Sequence, residues 1–546
     1  AMSNSVQLTF WGGTASKPKI QRSSSGKPFL FIIFVLIVLA SVWFFIPARH
    51  AAEMESFIPA SHSIEVYVYD PATKRNELLK SPILHTIPED TAAAAYLHLL
   101  TRKLPVPDWL LNNVSSGLFH ISVEDSNRPD SLLVITRMTR IGLLSEKFFS
   151  LSGNVSRERA GGLDLKKVIN AEIFYSVRNK YLLVSSSRDA LIQALTLPPE
   201  EAIEKSKFEA AQQKAKEADL FCRLDGKAFL QSPALFKDLS FSVRLNQSVP
   251  RLSITGSFSD EILARYGTLL PQNTKDDSLD MPLDGIASLS VNLGAPLPQW
   301  YAKLAETNEG WEKVSSWITL SESLPENASA TELLQYLVAS FFHSSGEKIR
   351  LAWFGFDPLE VVPAPLLAGT AQGKTDALHA AFDLVPPPPF SDDMIVLNPS
   401  VNSELLLATV PFIGGENLTP SLAIYPQGAL FATSETLIRK LMQSEALTAQ
   451  LGQKANLYFH LRPAQAWEAA VPALNEFAAS GLLRGHTESS FAEAATKISK
   501  QISTLQEFTV LGIVSDKAFH LEAKVTIGLS DQADNNAIQI AQRGQR

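Results

Sequence analysis

The stretch FYSVRNKYLLVSSSRDALIQAL, residues 174–195, contains the unit from which the fold is predicted. Phe174 to Val177 alternates as a strand, Arg178-Asn179-Lys180 forms a tight turn, and Tyr181 to Ser185 returns as a second strand. A helix is expected next, because the hydroxyls of Ser186-Ser187 can accept hydrogen bonds from its first free N–H groups. The stretch therefore predicts a hairpin followed by a capped helix.

The same unit returns in residues 422–441, LAIYPQGALFATSETLIRKL, with Gln427-Gly428 in the turn. Three other signals recur in the same order, which indicates an internal duplication. The four matched pairs are 87–97 with 281–291, 174–195 with 422–441, 218–224 with 455–461, and 239–258 with 508–529.

A second decisive stretch is FLFIIFVLIVLASVWFFI, residues 29–46, which contains no charged residue. A helix of this length covers roughly 27 Å, which is close to the hydrocarbon thickness of a bilayer. Its apolar side chains surround the helix and leave no polar face for water. The sequence therefore predicts a transmembrane anchor, marked by Phe29, Leu30, Phe34, Leu39, Trp43 and Ile46.

The charges beside this anchor predict its orientation. Residues 1–28 contain Lys17, Lys19, Arg22 and Lys27 and no acidic residue. Basic flanks stay in the cytoplasm, so the bulk of the chain is expected outside the inner membrane. The alternatives are a cleaved signal peptide, for which the apolar run is long and the site after it poor, and a buried core helix.

Composition limits the class of the exported part. The net charge of the whole chain is −8, so an acidic exterior predicts no nucleic-acid partner and no attraction to anionic lipid. Its single cysteine, Cys222, permits no intramolecular disulfide, which favours large cores in a bacterial envelope, that is, a periplasmic location.

The predicted fold class is α+β: a transmembrane helix and then two tandem, related domains of mostly antiparallel sheet, with helices packed on one face. The sequence leaves open whether the two sheets stay separate or join. The predicted segments are a cytoplasmic tail (1–28), the anchor (29–46), domain 1 (47–271), a polar linker (272–280), domain 2 (281–530) and a flexible tail (531–546).

Motifs for common chemistries are missing from the sequence. It has no phosphate-binding loop, no dinucleotide fingerprint and no nucleophile elbow. Its ten histidines form no H-x-x-x-H pair, so we predict no metal, no cofactor and no catalytic residue.

A few polar residues still deserve a specific interpretation. Cys222 in its strand pattern is interpreted as a small core residue rather than a reactive thiol, and His120 and His460 as partly buried or rim histidines. The carboxylates of Asp90 and Asp284, at matching repeat positions, are interpreted as turn or cap residues rather than a duplicated site. Three further carboxylates fit a solvated linker better than a calcium site: Asp276, Asp277 and Asp280.

Taken together, the anchor, the Ile87-Pro88 and Met281-Pro282 starts, and the units at Phe174 and Leu422 resemble a bacterial family. Its members are single-pass, membrane-anchored proteins with a duplicated exported α+β region, a domain of unknown function. The resemblance implies this architecture and carries no residue tied to an activity.

Three functions are compatible with the sequence. The first is a non-enzymatic envelope scaffold or adaptor that binds other envelope proteins. The second is a periplasmic carrier or chaperone for lipids or other apolar ligands, favoured by 30 Phe against 10 Tyr. The third is an enzyme whose site forms only in the folded chain. A continuous apolar cavity above a few hundred Å³ would favour the carrier, and clustered carboxylates or histidines in a cleft would favour the enzyme. A structure with neither feature would leave the scaffold.

Overall fold

The computed structural model describes most of the chain after residue 52. The described residues are 53–71, 73–74, 115–123, 132–151, 153–169, 173–225, 235–245, 249–272, 278–306, 318, 327–357, 363–386, 390–391, 395–399, 405–409, 419–483, 485 and 487–527. Among these, no helix is long and apolar enough to cross a membrane. The predicted anchor 29–46, with Phe29, Leu30, Phe34, Leu39, Trp43 and Ile46, lies outside them, as do the two tails and Asp90.

Bounds are defined for ten strands and four α-helices in the first half of the described chain. A 3-10 helix, Met54–Phe57, precedes them. In chain order they are β1 (Ile64–Tyr69), β2 (Ser115–Val123), β3 (Leu132–Met138), α1 (Arg140–Leu151), β4 (Val155–Ala160), β5 (Leu163–Val168), β6 (Ile173–Arg178), β7 (Tyr181–Ser185), α2 (Arg188–Leu195), α3 (Lys205–Glu217), β8 (Leu220–Asp225), β9 (Phe236–Arg244), β10 (Arg251–Phe258) and α4 (Asp260–Tyr266).

Bounds are defined for thirteen strands and six α-helices in the second half of the described chain. In chain order they are β11 (Ser278–Asp280), β12 (Ala287–Asn292), α5 (Leu297–Ala305), α6 (Ala330–Ser344), β13 (Ser345–Asp357), β14 (Ala364–Gly373), α7 (Asp376–Phe382), β15 (Phe390–Ser391), β16 (Val396–Pro399), β17 (Leu405–Thr409), β18 (Ser421–Tyr425), β19 (Gly428–Ala432), α8 (Glu435–Met442), β20 (Gln450–Lys454), β21 (Leu457–Leu461), α9 (Pro463–Ala479), α10 (Glu488–Ile502), β22 (Leu505–Val514) and β23 (Ala518–Ile527).

The hairpin-and-helix unit forms where the sequence predicts it. Strands β6 and β7 are joined by Asn179 and Lys180, both at positive φ, as a tight hairpin turn requires. The hydroxyl of Ser187 accepts a hydrogen bond from the Ala190 N–H and caps α2. In the second half, Ser434 caps α8 in the same way, through the Leu437 N–H.

Twenty-one strands form one sheet, and every strand pair in the described chain is antiparallel. The register places them in the order β4-β5-β6-β7-β3-β2-β1-β8-β9-β10-β23-β22-β21-β12-β13-β14-β19-β18-β17-β16-β15. Strands β11 and β20 form a separate pair. The fold is therefore a mixed α and β structure dominated by antiparallel sheet.

The two halves of the chain meet where β10 pairs with β23, from Arg251 opposite Lys524 to Ser257 opposite Ala518. Outward from this seam, the first ten strands on each side follow the same connection order. The question that the sequence leaves open is thus answered: the two sheets join into one.

The register corrects one of the four repeat pairs. Strand β12 holds the place in the second half that β1 holds in the first, because each pairs with the corresponding neighbours, β21 and β13 or β8 and β2. The counterpart of Met281-Pro282 is therefore Ile58-Pro59, just before β1, and not Ile87-Pro88. The repeat match in the sequence selected the wrong pair because Ile-Pro occurs at both 58–59 and 87–88.

The predicted linker 272–280 is also different in the structure. Residues 278–280 form β11, whose Leu279 is 1% exposed, and pair with β20. The last linker residue, Asp280, is buried and accepts a hydrogen bond from Gln372 at 2.6 Å. Its carboxylate is therefore part of the buried structure of the second half and does not belong to a solvated linker.

Helices pack on both faces of the sheet, and the prediction of a single helical face is wrong. Helices α2, α3 and α8 cover one face, where α8 packs on Leu405, Ala423 and Leu430. Helices α6 and α7 cover the other face, where they pack on Leu406, Ala408 and Ile424. Strands β17 and β18 are apolar on both sides, so both of their sides require cover.

Candidate functional site

Side chains that lie opposite each other in paired strands share a face, which allows each face of the sheet to be followed across the seam. We call the face that carries Val66, Ile254 and Leu521 the apolar face. One row on it crosses sixteen strands without a charged residue: Tyr175, Val184, Val134, Ile121, Val66, Cys222, Phe241, Ile254, Leu521, Gly512, Leu457, Val291, Ile349, Ala371, Ala429 and Ile424.

The neighbouring row on the apolar face is equally free of charge. It runs through Leu220, Val243, Leu252, Ala523, Val510, Phe459, Leu289, Leu351, Gly369, Phe431, Leu422 and Leu406. Most of these side chains are only half-buried. The face of a sheet that contacts water normally carries polar side chains. An apolar face of this kind is typical of a surface that packs against another apolar group.

Three exposed side chains of the apolar face, Leu351, Leu367 and Phe431, form a patch together with Val338 of α6, which we call the apolar patch. In that order, the four side chains are 51%, 41%, 38% and 39% exposed. Leu351 and Phe431 lie on either side of Gly369, and a Cβ at Gly369 would stand 2.8 Å from Leu351 Cδ2. The missing side chain lets Leu351 lie flat across β14 towards Phe431.

A pocket of about 210 Å³ opens beside this patch, between α6 and strands β17–β19. Its lining is almost wholly apolar and includes Leu334, Val338, Phe341, Leu406 and Phe431. The volume is below the 300–1,000 Å³ typical of sites that enclose a whole drug-sized molecule. It suits one acyl segment whose remainder lies on the open face.

A capping box holds α6 over this pocket. The hydroxyl of Ser329 accepts from the Glu332 N–H, and the Glu332 carboxylate accepts from the Ser329 N–H at 2.8 Å. Leu333 and Leu337 on this helix are buried, whereas Val338 turns towards the pocket mouth. The helix is thereby fixed at its start with one apolar flank left uncovered.

The opposite face, which we call the polar face, carries a larger and different groove of about 580 Å³ beside α3 and the seam. Its cations already have partners within the protein. Arg223 lies 4.0 Å from Glu65, Lys207 lies 3.7 Å from Glu204, and Lys214 stands 5.4 Å from the centre of the Phe221 ring. The groove is therefore a poorer candidate for a binding site than the apolar patch.

Buried polar side chains lie next to this groove within the first half. The hydroxyl of Tyr67 donates to Glu65 at 2.6 Å, and the His120 ring packs edge-on against Tyr67 at 4.8 Å. Burial raises the pKa of Glu65 despite that bond and the nearby Arg223. Burial, helped by His62, lowers the pKa of His120 to about 3, and burial lowers that of His62 to about 4.

Arg350 occupies the place in the second half that His120 occupies in the first. Tyr67 lies opposite His120 in β1–β2, and Ser290 lies opposite Arg350 in β12–β13. The guanidinium of Arg350 is fully buried and donates to the Thr370 hydroxyl at 2.8 Å and to the Leu447 carbonyl at 3.0 Å. Two different polar groups thus fill equivalent core positions, which argues for structural roles at both.

Cys222 and the two histidines singled out in the sequence lie in separate surroundings. Cys222 lies half-buried on the apolar face, and burial raises the pKa of its thiol to about 11, so it stays protonated at neutral pH. His120 is fully buried, and His460 Nε2 lies 3.1 Å from Glu507 at the edge of the core. Cys222 packs against the buried cluster of Leu224, Leu239 and Phe519, but it is not itself fully buried.

The two predicted carboxylates that lie in the described part of the chain, Asp280 and Asp284, make separate contacts. Asp284 is exposed and accepts from Arg462 Nη2 at 2.9 Å, so it makes an ion pair rather than a cap. Asp276 and Asp277 lie outside the described residues. Within the described part of the chain, no three His, Cys, Asp or Glu side chains are grouped to hold a metal ion.

Sequence reasoning did not single out the apolar patch. Val338 lies inside the apolar helix α6, and Leu351 and Phe431 lie in strands whose apolar residues look like ordinary core. The available signal was alternation, such as Ile349, Leu351 and Trp353 on one face. Alternation alone does not reveal whether that face is covered.

Comparisons with known proteins add little. No family model matches the chain, and no curated protein matches it. Among solved structures, the chain is similar to crystal forms I and III of TP0453, with 9% and 8% sequence identity and a TM-score of 0.24 for each. The matches cover 39% and 38% of this chain and 81% of those chains. Likeness at this level carries no argument about function.

Proposed function

We propose that this protein is a non-enzymatic, membrane-anchored carrier that binds the acyl chain of a lipid, or a similar apolar ligand, on the apolar face of its sheet. The observation that carries the proposal is the exposed patch of Val338, Leu351, Leu367 and Phe431 beside a pocket lined by apolar side chains. Contiguous exposed apolar surface of this kind marks a binding surface.

The anchor 29–46 and the orientation predicted from its basic tail complete the proposal. They would hold the body, as two related repeats on one sheet, at the outer side of a bacterial inner membrane. The strand order on either side of the β10–β23 seam supports the proposed duplication. A ligand on the apolar face would then be held close to the bilayer from which it comes.

The scaffold or adaptor is the second candidate, and the same patch favours it. A flat apolar surface of exposed strand residues can also pack against a protein partner. The pocket distinguishes the two candidates in principle, since an acyl segment can enter a slot between α6 and β19 that a protein surface covers without filling.

A photo-crosslinker in place of Phe431 tests the proposal in the full chain within membranes. Benzoylphenylalanine at this position should capture a lipid, identified by the mass added to the peptide that contains residue 431. The matched control replaces Ile513, which is 45% exposed on the polar face and should capture no lipid.

A polar substitution gives a second measurement in the same experiment. Leu351→Gln should reduce the lipid adduct at position 431 about tenfold, because one buried apolar side chain contributes roughly 1.5–3 kcal/mol. A protein adduct at position 431, without lipid, would establish the scaffold instead. Equal lipid capture at positions 431 and 513 would mean contact with bulk bilayer only.

A further inference from the structure

Helix α1, Arg140–Leu151, presents its polar side inward and its apolar side outward. Its Glu146 accepts from Lys166 at 2.5 Å, and both side chains are about nine-tenths buried. The Tyr175 hydroxyl lies 3.5 Å from the same carboxylate, and burial together with Glu146 raises the pKa of Tyr175 to about 12. A helix that faces water on its outer side has the reverse arrangement.

The outward side of α1 is an apolar stripe. Leu144, Phe148 and Leu151, spaced four and three residues apart, are 43%, 68% and 75% exposed. Two residues at strand ends in the same segment are also exposed: Ile169 is 55% exposed and Ile173 is 40% exposed.

The segment of the sequence that contains α1 has a net charge opposite in sign to that of the whole protein. Residues 137–188 contain ten Lys or Arg and four Asp or Glu, a net charge of +6 in a chain whose net charge is −8. Arg157 and Arg159 of β4 are exposed and lie on the sheet face that α1 covers, since Arg157 pairs with Lys166 and Lys166 with Tyr175. Exposed apolar side chains on a helix, together with exposed cations, are typical of a surface that binds an anionic lipid bilayer.

We propose that α1 and the exposed cations of β4 dock on an anionic bilayer, with Leu144, Phe148 and Leu151 inserted among the lipids. This contact is separate from the predicted anchor, and it does not rest on ligand binding at the apolar patch. The proposal also revises the expectation, drawn from the net charge of −8, that the protein is not attracted to anionic lipid. Electrostatic attraction to a membrane acts over about 10 Å at ordinary salt, so it depends on the charges nearest to the bilayer.

The test measures the environment of α1 in the full chain reconstituted into vesicles. In a Cys222→Ala background, Phe148→Cys is labelled with an environment-sensitive fluorophore, and Glu209→Cys on the exposed side of α3 serves as the control site. The vesicles contain phosphatidylcholine alone or mixed with phosphatidylglycerol, with or without a nitroxide lipid as quencher.

With phosphatidylglycerol, the label at position 148 should shift its emission to the blue and be quenched by the nitroxide lipid, whereas the label at 209 should not. Arg157→Gln and Arg159→Gln should each lower the ratio of docked to free α1 about fivefold, from about 1 kcal/mol per cation. Hydrogen exchange of α1 in unlabelled protein should slow in the same vesicles.

Two results would overturn the proposal. Equal quenching at positions 148 and 209 would show that α1 does not reach the bilayer. Quenching at position 148 that is the same with phosphatidylcholine alone, and unchanged by the two arginine substitutions, would show that the cations do not select an anionic surface. Loss of lipid capture at position 431 would leave both readouts untouched, so the two proposals fail independently.

Discussion

Single buried residues show how this chain handles polarity inside its core. His120 is fully enclosed beside Tyr67, and neither of its ring nitrogens has a hydrogen-bond partner among the described residues, whereas Arg350, at the equivalent place, donates to several oxygens. An unpaired neutral imidazole is tolerated, but a buried charged one is costly. The protonation of His120 therefore opposes folding.

This reasoning predicts a pH dependence. The pKa of His120 is lowered to about 3 in the folded state, against 6.5 as the ordinary value, so the folded chain binds fewer protons than the unfolded chain. Above pH 6.5, His120 is neutral in both states and does not lower the free energy of unfolding. As the pH falls from 6.5 towards the folded pKa of about 3, the unfolded chain gains the proton first and the free energy of unfolding decreases. Between pH 6 and 4, His120→Leu should make the decrease in the free energy of unfolding smaller by about 1.4 kcal/mol per pH unit.

Urea unfolding at several pH values measures this effect. At pH 7.5 the variant should be as stable as the parent, because an apolar side chain of similar size replaces a group without partners. His62, whose pKa is lowered to about 4, remains and keeps part of the pH dependence. Parallel stability curves for parent and variant would contradict the assignment.

At the scale of elements, the seam between β10 and β23 joins the two halves. Gly256 lies in the apolar-face row between Leu239 and Phe519. A Cβ there would stand 2.7 Å from the Asp238 carbonyl oxygen, 2.8 Å from Leu239 Cδ2 and 2.8 Å from Phe519 Cζ. The backbone oxygen is held by the sheet and has no room to move.

We therefore expect Gly256→Ala to lower the free energy of unfolding by about 1–3 kcal/mol through overpacking. Hydrogen exchange should become faster in β10 and β23 before other strands. The matched control is Gly452→Ala in β20, where no atom lies within 4 Å of the added Cβ and stability should not fall. Equal effects at the two glycines would show that the seam is not tightly packed.

At the scale of the whole molecule, position relative to the membrane governs the proposed function. The basic tail 1–28 and the uncharged stretch 29–46 predict a cytoplasmic N-terminus and an external body. Protease added to intact spheroplasts should digest residues after 46 and leave an N-terminal tag protected. Cleavage of the tag without membrane disruption would show that the N-terminus is outside. The body would then lie in the cytoplasm, without access to envelope lipids.

The sequence by itself determined the local units. Asn179 and Lys180 in the turn, the Ser187 and Ser434 caps, and the apolar alternation of β8 and β21 depend on neighbouring residues alone, so strands, helices and the repeated unit could be read directly. The prediction of a mostly antiparallel sheet with helices followed from the same local patterns.

Only the tertiary structure decided what those patterns face. Ile-Pro occurs at both 58 and 87, and strand pairing selects the first as the counterpart of Met281-Pro282. The joining at β10–β23, the helices on both faces, and the exposure of Leu351, Phe431 and Phe148 depend on contacts between residues far apart in the chain. The alternation in 174–195 and 422–441 shows that a strand has an apolar side; whether that side is covered depends on elements elsewhere in the fold.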